Sequence, residues 1–180
     1  MNFAEVTAGL PGAGTAARLG RRARGAFDVD EWGLDPELVA LADPLLALRW
    51  DIQVEGAEQL PALGGAVLVF NRRLGVSEPW VLARGVRQAT GRFVRTVGVP
   101  DVAPVGPVLR RFGGVLDRTD EIAGLLHAGQ LVGLPMARAL RSRDQAGALE
   151  VERLEAAIAT GSPVVPVALT GREVGRSWRI

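Results

Sequence analysis

Short, continuous apolar runs alternate with segments of helical character along this chain, and this alternation constrains the fold more than any other feature. Three of the runs, Ala66–Phe70, Leu131–Leu134 and Val164–Leu169, contain no charged residue. Such runs are typical of parallel strands that are buried on both faces and joined by helical crossovers. The alternation therefore predicts an α/β fold, with a mainly parallel mixed sheet flanked by helices on both faces.

The segments between these runs supply the other predicted elements. A helix is predicted from Asp35, because Asp is a good N-cap and Pro36 suits the first helical turn, and Pro44 is expected to kink this helix or divide it. Its leucines at 38, 41, 45 and 48 mark one face, which should pack on the core or lie on a bilayer surface. Further helices are predicted at 79–86, 102–112, 120–128 and 147–160, and further strands at 52–56, 91–97 and 114–116.

The length and the distribution of charge suggest a simple domain organisation. A chain of 180 residues is long enough for one domain with a substantial core. Residues 1–26 are rich in Gly, Ala and Arg and are expected to form a flexible basic tail, or an arm drawn to anionic lipid head groups. Residues 27–180 then form the domain. The chain ends at Trp178-Arg179-Ile180 in what looks like an unfinished strand, so a C-terminally truncated domain is one interpretation.

The composition excludes several classes of function. There is no Cys and only one His, His127, so disulfides and thiol metal sites are ruled out, and we expect no metal and no bound cofactor. A net charge of +1 gives no support to nucleic-acid binding. No apolar run approaches the roughly 18–20 residues of a spanning helix, and the N-terminus lacks a signal-peptide core. We therefore expect a cytoplasmic protein that is either soluble or bound peripherally at the inner membrane face.

Four segments, in order along residues 50–171, resemble the motifs of one enzyme family. They are Val54–Pro61, the strand and loop Val67–Pro79, Phe112–Arg118 and Gly161–Leu169. Together they are similar to the glycerolipid acyltransferases, the lysophosphatidate (1-acylglycerol-3-phosphate) acyltransferase family. The resemblance implies a glycerol-3-phosphate acyltransferase-like fold, and transfer of an acyl group from acyl-CoA or acyl carrier protein to a lysophospholipid.

The residues that perform this reaction in the family are replaced here. The family reads Asn-His-x-x-x-x-Asp where this chain has Asn71-Arg72, and Ser77 stands at the Asp position. An Arg cannot act as a general base, because its guanidinium stays protonated. Glu78 is the nearest carboxylate, but it has no His to orient. The third family motif, Phe-Pro-Glu-Gly, has become Leu-Pro-Met-Ala at residues 134–137.

With the catalytic residues replaced, the function that the resemblance still implies is ligand binding. It implies four arginines around the family's phosphate site, suited to a phospholipid, a lysophospholipid or acyl-CoA: Arg72, Arg73, Arg118 and Arg138. Alternatively, Arg72 pairs with Glu78 and seals the cleft, and Arg118 pairs with Asp117 or Asp120. His127 is expected to be an exposed residue near a helix C-terminus rather than a base.

Three functional hypotheses follow. The first is a catalytically impaired acyltransferase-family domain that binds a phosphate-bearing lipid or acyl-CoA. The second is an active acyltransferase that uses non-standard residues, with the Arg cluster stabilising the developing oxyanion. The third is an interaction protein with a closed cleft and a protein partner.

Overall fold

The computed structural model describes residues 20–22, 24–25, 28–72, 76–136 and 149–180. Within these ranges the α-helices are α1 (Pro36–Arg49), α2 (Glu78–Thr90), α3 (Val105–Arg111), α4 (Thr119–His127) and α5 (Glu155–Thr160). The strands are β1 (Asp51–Gln53), β2 (Ala66–Phe70), β3 (Val94–Val97), β4 (Gly114–Val115), β5 (Leu131–Pro135), β6 (Val164–Val167), β7 (Thr170–Gly171) and β8 (Ser177–Arg179). Short 3-10 helices occur at Ala57–Gln59 and Val151–Leu154.

The main sheet has five parallel strands in the order β4-β3-β5-β2-β6. The predicted α/β class with a parallel sheet is therefore confirmed. A second, three-stranded sheet has the order β1-β8-β7, with β1 and β8 parallel and β7 antiparallel. The connection from β2 through α2 leads to β3, toward the β4 edge of the sheet, whereas the connection from β5 through α5 leads to β6, at the opposite edge. Because both crossovers are right-handed, α2 and α5 lie on opposite faces of the sheet.

Alternate residues of the central strands build two separate cores. From β2, Leu68 and Phe70 pack with Leu82 of α2, together with Trp178 of the small sheet. Val67 and Val69, which point the other way, pack with helices α4 and α5. The side-chain period of two thus explains why an unbroken apolar run is needed: both faces of β2 are covered by apolar layers.

Strand β6 departs from the prediction of a core strand at 164–169. Its side chains are exposed or only half-buried, and within the described ranges it forms one edge of the main sheet, with β2 as its strand partner. Val67 donates its N–H to the carbonyl of Pro163. In this parallel register the backbone N–H groups of Val165 and Val167 are directed toward β2, whereas the backbone nitrogen of Pro166 is directed away from it. A proline at this position removes a donor from the open edge, which protects it from pairing with another strand.

Helix α1 also differs from expectation. Asp35 caps it by accepting the N–H of Leu38 at 2.8 Å, and the helix runs through Pro44 without division. None of its residues is buried, however, and Leu45 and Leu48 are each 70% exposed. The predicted leucine face therefore does not enter the core. Arg21 and Arg22, from the predicted basic tail, pair with Glu37 and Asp35 at the start of this helix.

None of the helices within the described ranges is long and apolar enough to cross a membrane.

Candidate functional site

A cavity of about 290 Å³ opens beside the carboxyl ends of the main-sheet strands, between α2 and α3. Ligands of open α/β sheets bind at this edge of the sheet. Its lining is mostly apolar and comes from the loop after β2, from α2, from β3 with the turn that follows, and from α3 with β4: Arg72, Val76, Pro79, Trp80, Ala83, Thr96, Val97, Gly98, Val99, Pro100, Leu109, Phe112 and Gly114.

Aromatic packing and one glycine keep this cavity in shape. The rings of Trp80 and Phe112 meet edge to face with their centroids 5.3 Å apart, a favourable aromatic geometry that forms one wall. A Cβ on Gly114 would lie 2.2 Å from Cγ1 of Val99 and 3.0 Å from the carbonyl oxygen of Leu109. Any larger residue there would displace the wall, so glycine allows β4 to approach α3 closely.

Arg72 is the charged residue among the described residues of the lining, and it lies two positions beyond the end of β2. Its Nε is buried and has no hydrogen-bond partner among the described residues, and it forms no salt bridge with any of them. Among the described residues no salt bridge joins Arg72 to Glu78, and the cavity beside Arg72 is open. Glu78, in the first turn of α2, is itself buried and does not line the cavity.

Asn71 fixes the start of the Arg72 loop. Its Nδ2 donates to the carbonyl of Leu169 at 2.9 Å, and its Oδ1 accepts the N–H of Leu169 at 2.6 Å. The side-chain amide thus pairs with both the backbone N–H and the carbonyl of one residue beyond the end of β6 and extends the β2–β6 pairing. Asn71 therefore has a structural role. Arg72 is the first residue after β2 that lines the cavity.

Ser77 ends the same loop and binds a carboxylate that is distant in sequence. Its hydroxyl donates to Oε1 of Glu173 at 2.7 Å, and its backbone N–H donates to Oε2 at 3.3 Å. Oε1 also accepts the N–H of Val76 at 3.2 Å. Glu173 lies in the loop between β7 and β8, and Arg49 of α1 donates to the backbone carbonyls of Glu173 and Gly175. A carboxylate therefore stands beside the position where the resemblance leads one to expect Asp.

Glu173 is held in its charged form. Burial opposes ionisation, but the hydroxyl of Ser77, the two backbone N–H groups and the charge of Arg49 together outweigh it, so the pKa of Glu173 lies below its usual range. A carboxylate with a lowered pKa is a weak general base near neutral pH. Its contacts suit it to fixing the loop rather than to accepting a proton.

Of the other three predicted arginines, the described residues include only Arg118, and it does not join Arg72 at the cavity. Arg118 does not line the cavity and is 63% exposed, with Asp101 at 3.9 Å. In place of the alternative pairing with Asp117 or Asp120, the carboxylate nearest to Arg118 among its salt bridges in the described structure is that of Asp101, and Asp117 pairs with Arg153 at 2.7 Å. Arg73 and Arg138 lie outside the described residues.

Arg153, which the sequence analysis did not select, ties two strand ends together. Besides its pair with Asp117 after β4, it donates to the carbonyl of Pro135 at the end of β5 at 2.7 Å. Met136, which follows Pro135 in the chain, stands at the family's Glu position and packs against the apolar core on the α4 side of the sheet.

His127 lies far from the cavity along the strand direction. It is the last residue of α4, just before the amino end of β5, whereas the cavity lies at the carboxyl ends of the strands. Its side chain is exposed, and Nδ1 donates to the carbonyl of Ala123 at 3.0 Å. The expectation of an exposed residue at a helix C-terminus is confirmed, and His127 cannot serve as a base in this cavity.

Comparison with known proteins gives little further identification. No family model matches the chain, and no solved structure matches it. The chain is similar to an uncharacterized protein of Mycobacterium leprae, with 27% identity over 184 aligned positions that cover 89% of this chain and 49% of the relative. The chain thus spans about half the length of that curated relative.

Proposed function

We propose that this domain binds a phosphate-bearing lipid, such as a phospholipid or lysophospholipid, or acyl-CoA, with the phosphate at Arg72 and the adjoining apolar part in the cavity. The observation that carries the proposal is an arginine that has no salt bridge with a described residue, with a buried Nε, in the wall of an otherwise mostly apolar cavity. A guanidinium binds phosphate through charge-assisted hydrogen bonds, which are about twice as strong as neutral ones.

The size and surroundings of the cavity support this ligand class. A volume of about 290 Å³ is at the small end for ligand pockets, which hold roughly 300–1,000 Å³. It would accept a head group and the first part of a chain, while the remainder extends through the mouth. Exposed apolar side chains lie on the lining loop and on the adjoining α3 segment: Val76, Val102, Val105 and Val108. In this proposal they contact the hydrocarbon of the ligand or of a membrane surface on the cytoplasmic side.

Binding without acyl transfer is the form of the proposal that we favour. In the resembled family a His–Asp pair activates the acceptor hydroxyl, whereas Arg72 and Ser77 hold those positions here. Arg72 cannot take up a proton, and Ser77 already donates its hydroxyl hydrogen to Glu173. The acyltransferase lineage itself is a proposal that rests on the sequence motifs.

The test is a calorimetric titration of the protein with lysophosphatidate, phosphatidate, palmitoyl-CoA and free CoA, with monoacylglycerol as the control that lacks phosphate. We expect one phosphate-bearing lipid ligand to bind with a Kd at least about 30-fold lower than that of monoacylglycerol, because the charged contact adds about 2 kcal/mol. An absence of binding for every ligand would overturn the proposal and direct attention to protein partners. Acyl transfer that is lost in Arg72→Ala would instead support the active-enzyme hypothesis.

A further inference from the structure

A second, smaller cavity lies between α1 and α2, next to the aromatic pair that forms one wall of the main cavity. Its volume is about 30 Å³, and the rings of Trp80 and Phe112 belong to the linings of both cavities. The rest of its lining combines apolar side chains, among them Leu46 and Phe93, with three charged ones. This volume is enough for one or two water-sized atoms, so the cavity can admit the oxygens of one small polar group.

Two guanidinium groups reach this second cavity and share one carboxylate there. Oδ1 of Asp43, on α1, lies 3.4 Å from Nε of Arg84 and 3.9 Å from Nη1 of Arg87, both on α2. Both nitrogen atoms are buried, and neither has a hydrogen-bond partner among the described residues. Asp43 therefore supplies these atoms with charge but not with a hydrogen bond, and two positive charges face one negative charge in the described lining.

The surroundings hold both arginines in place and leave these N–H groups unused. The side chain of Arg84 is 12% exposed, and its Nη1 donates to Oε1 of Gln88 at 3.3 Å. The guanidinium of Arg87 lies over the ring of Phe93 with its central carbon 5.1 Å from the ring centroid, a favourable cation–π geometry. A buried donor without an acceptor is unfavourable. The site therefore favours an incoming acceptor that carries negative charge.

The distances to Asp43 distinguish this site from a closed ion pair. A carboxylate that closes an ion pair through hydrogen bonds approaches the N–H group to roughly 2.7–2.9 Å, as Asp117 approaches Arg153 at 2.7 Å. Asp43 stays at 3.4 and 3.9 Å, and its side chain is 41% exposed. It is thus a weakly held neighbour that an anion with two or more oxygens can displace, with each oxygen accepting one N–H group.

From this arrangement we infer that Arg84 and Arg87 form a second anion site, which binds one small oxyanionic group, a phosphate or a carboxylate. Guanidinium groups bind both through charge-assisted hydrogen bonds. The group enters beside the exposed Asp43 and takes the place of its carboxylate between the two arginines. This site does not depend on the ligand proposed for Arg72, which lines the main cavity but not the second one. Neither the motif resemblance nor the mycobacterial relative assigns a role to these residues.

The experiment follows the side-chain Nε–H signals of the arginines by NMR while inorganic phosphate or acetate is added at constant ionic strength. The signal of Arg84 is assigned by its disappearance in Arg84→Gln. We expect this signal to shift to saturation with phosphate, with acetate or with both, and the lower Kd identifies the preferred oxyanion. No shift with either anion, or the same shift when sodium chloride alone is added, would overturn the inference.

Three variants separate a binding site from a purely structural contact. Arg87→Gln should raise the Kd of the anion at least about 10-fold, as for loss of one charged hydrogen bond. Asp43→Asn should lower the Kd about 5-fold, because it removes the competing negative charge. A Kd that is raised or unchanged in Asp43→Asn would overturn the inference. The control Arg179→Gln, at an arginine that is 63% exposed on β8, should leave the Kd as in the wild type.

Arg72→Ala distinguishes this site from the proposed lipid site. The shift of the Arg84 signal should persist in this variant with an unchanged Kd. Loss of the shift would place the anion in the main cavity and would overturn the inference. A retained shift upholds the second site even if no lipid binds to the main cavity, in which case the proposed function alone is refuted.

Discussion

Replacing Asp30 by Asn is expected to lower the free energy of unfolding by about 3 kcal/mol, because it leaves a buried arginine without its counter-charge. Arg95 on β3 is 1% exposed and forms a salt bridge with Asp30, with Gln130 as a further acceptor at 3.4 Å. Asn retains an oxygen for the N–H groups of Trp32 and Leu34, which Asp30 accepts at 3.0 and 2.9 Å. The substitution therefore removes charge while keeping the local turn.

The value lies at the lower end of the range for broken buried pairs, roughly 3–5 kcal/mol, because Asp30 is itself 34% exposed. Urea unfolding monitored by tryptophan fluorescence measures the change. The control is Glu55→Gln, at a carboxylate that is 71% exposed and pairs with the 63% exposed Arg179 at 3.4 Å on the surface. Its loss should cost less than about 1 kcal/mol. Equal, small effects in both variants would show that Arg95 does not depend on Asp30.

Replacing Arg72 by Ala is expected to raise the Kd of the phosphate-bearing ligand about 30- to 150-fold, which corresponds to 2–3 kcal/mol for a lost charged contact. The same substitution should change the free energy of unfolding by less than about 0.5 kcal/mol, because Arg72 has no salt bridge with a described residue to lose. The substitution is thus predicted to weaken ligand binding while leaving the free energy of unfolding almost unchanged. Titration calorimetry and urea unfolding on one preparation measure both.

Two further variants, Arg118→Ala and Arg179→Ala, serve as controls that each remove one exposed arginine other than Arg72. Both side chains are 63% exposed and each has one distant carboxylate partner, at 3.9 Å for Arg118 and 3.4 Å for Arg179. Arg179 lies on β8, away from the cavity, and its loss should not change the Kd. Loss of binding in Arg118→Ala with normal binding in Arg72→Ala would move the anion site to the end of β4.

The main sheet was predictable because its central strands carry their signal in the residues themselves. Ala66–Phe70 and Leu131–Pro135 are covered on both faces, and continuous apolar runs follow from that burial. Val164–Val167 carries the same signal yet lies at the edge of the sheet. The apolar pattern of a strand indicates how hydrophobic its side chains are but not how many strands pair with it. The residue that is typical of an edge strand here is Pro166, because proline cannot donate a backbone hydrogen bond to a second neighbouring strand.

The candidate site was predictable only where it is continuous in sequence. Arg72 follows a recognisable strand, and the motif comparison marked it directly. Glu173 lies 96 residues beyond Ser77 in an irregular turn, and no local pattern links the two. Arg95 was hidden for another reason: a charged residue inside an apolar strand carries no local sign of its burial, which here depends on the partner Asp30, 65 residues earlier in the chain.

The most direct test of the account is to locate a bound lipid. A lysophosphatidate with a photoreactive diazirine on its acyl chain is cross-linked to the protein, and the labelled peptides are identified by mass spectrometry. We predict labelling within the cavity lining, on the peptides that contain Trp80, Val99 or Leu109, and its suppression by excess unlabelled lysophosphatidate and by Arg72→Ala. Labelling confined to other surfaces, or labelling that excess ligand does not suppress, would contradict it.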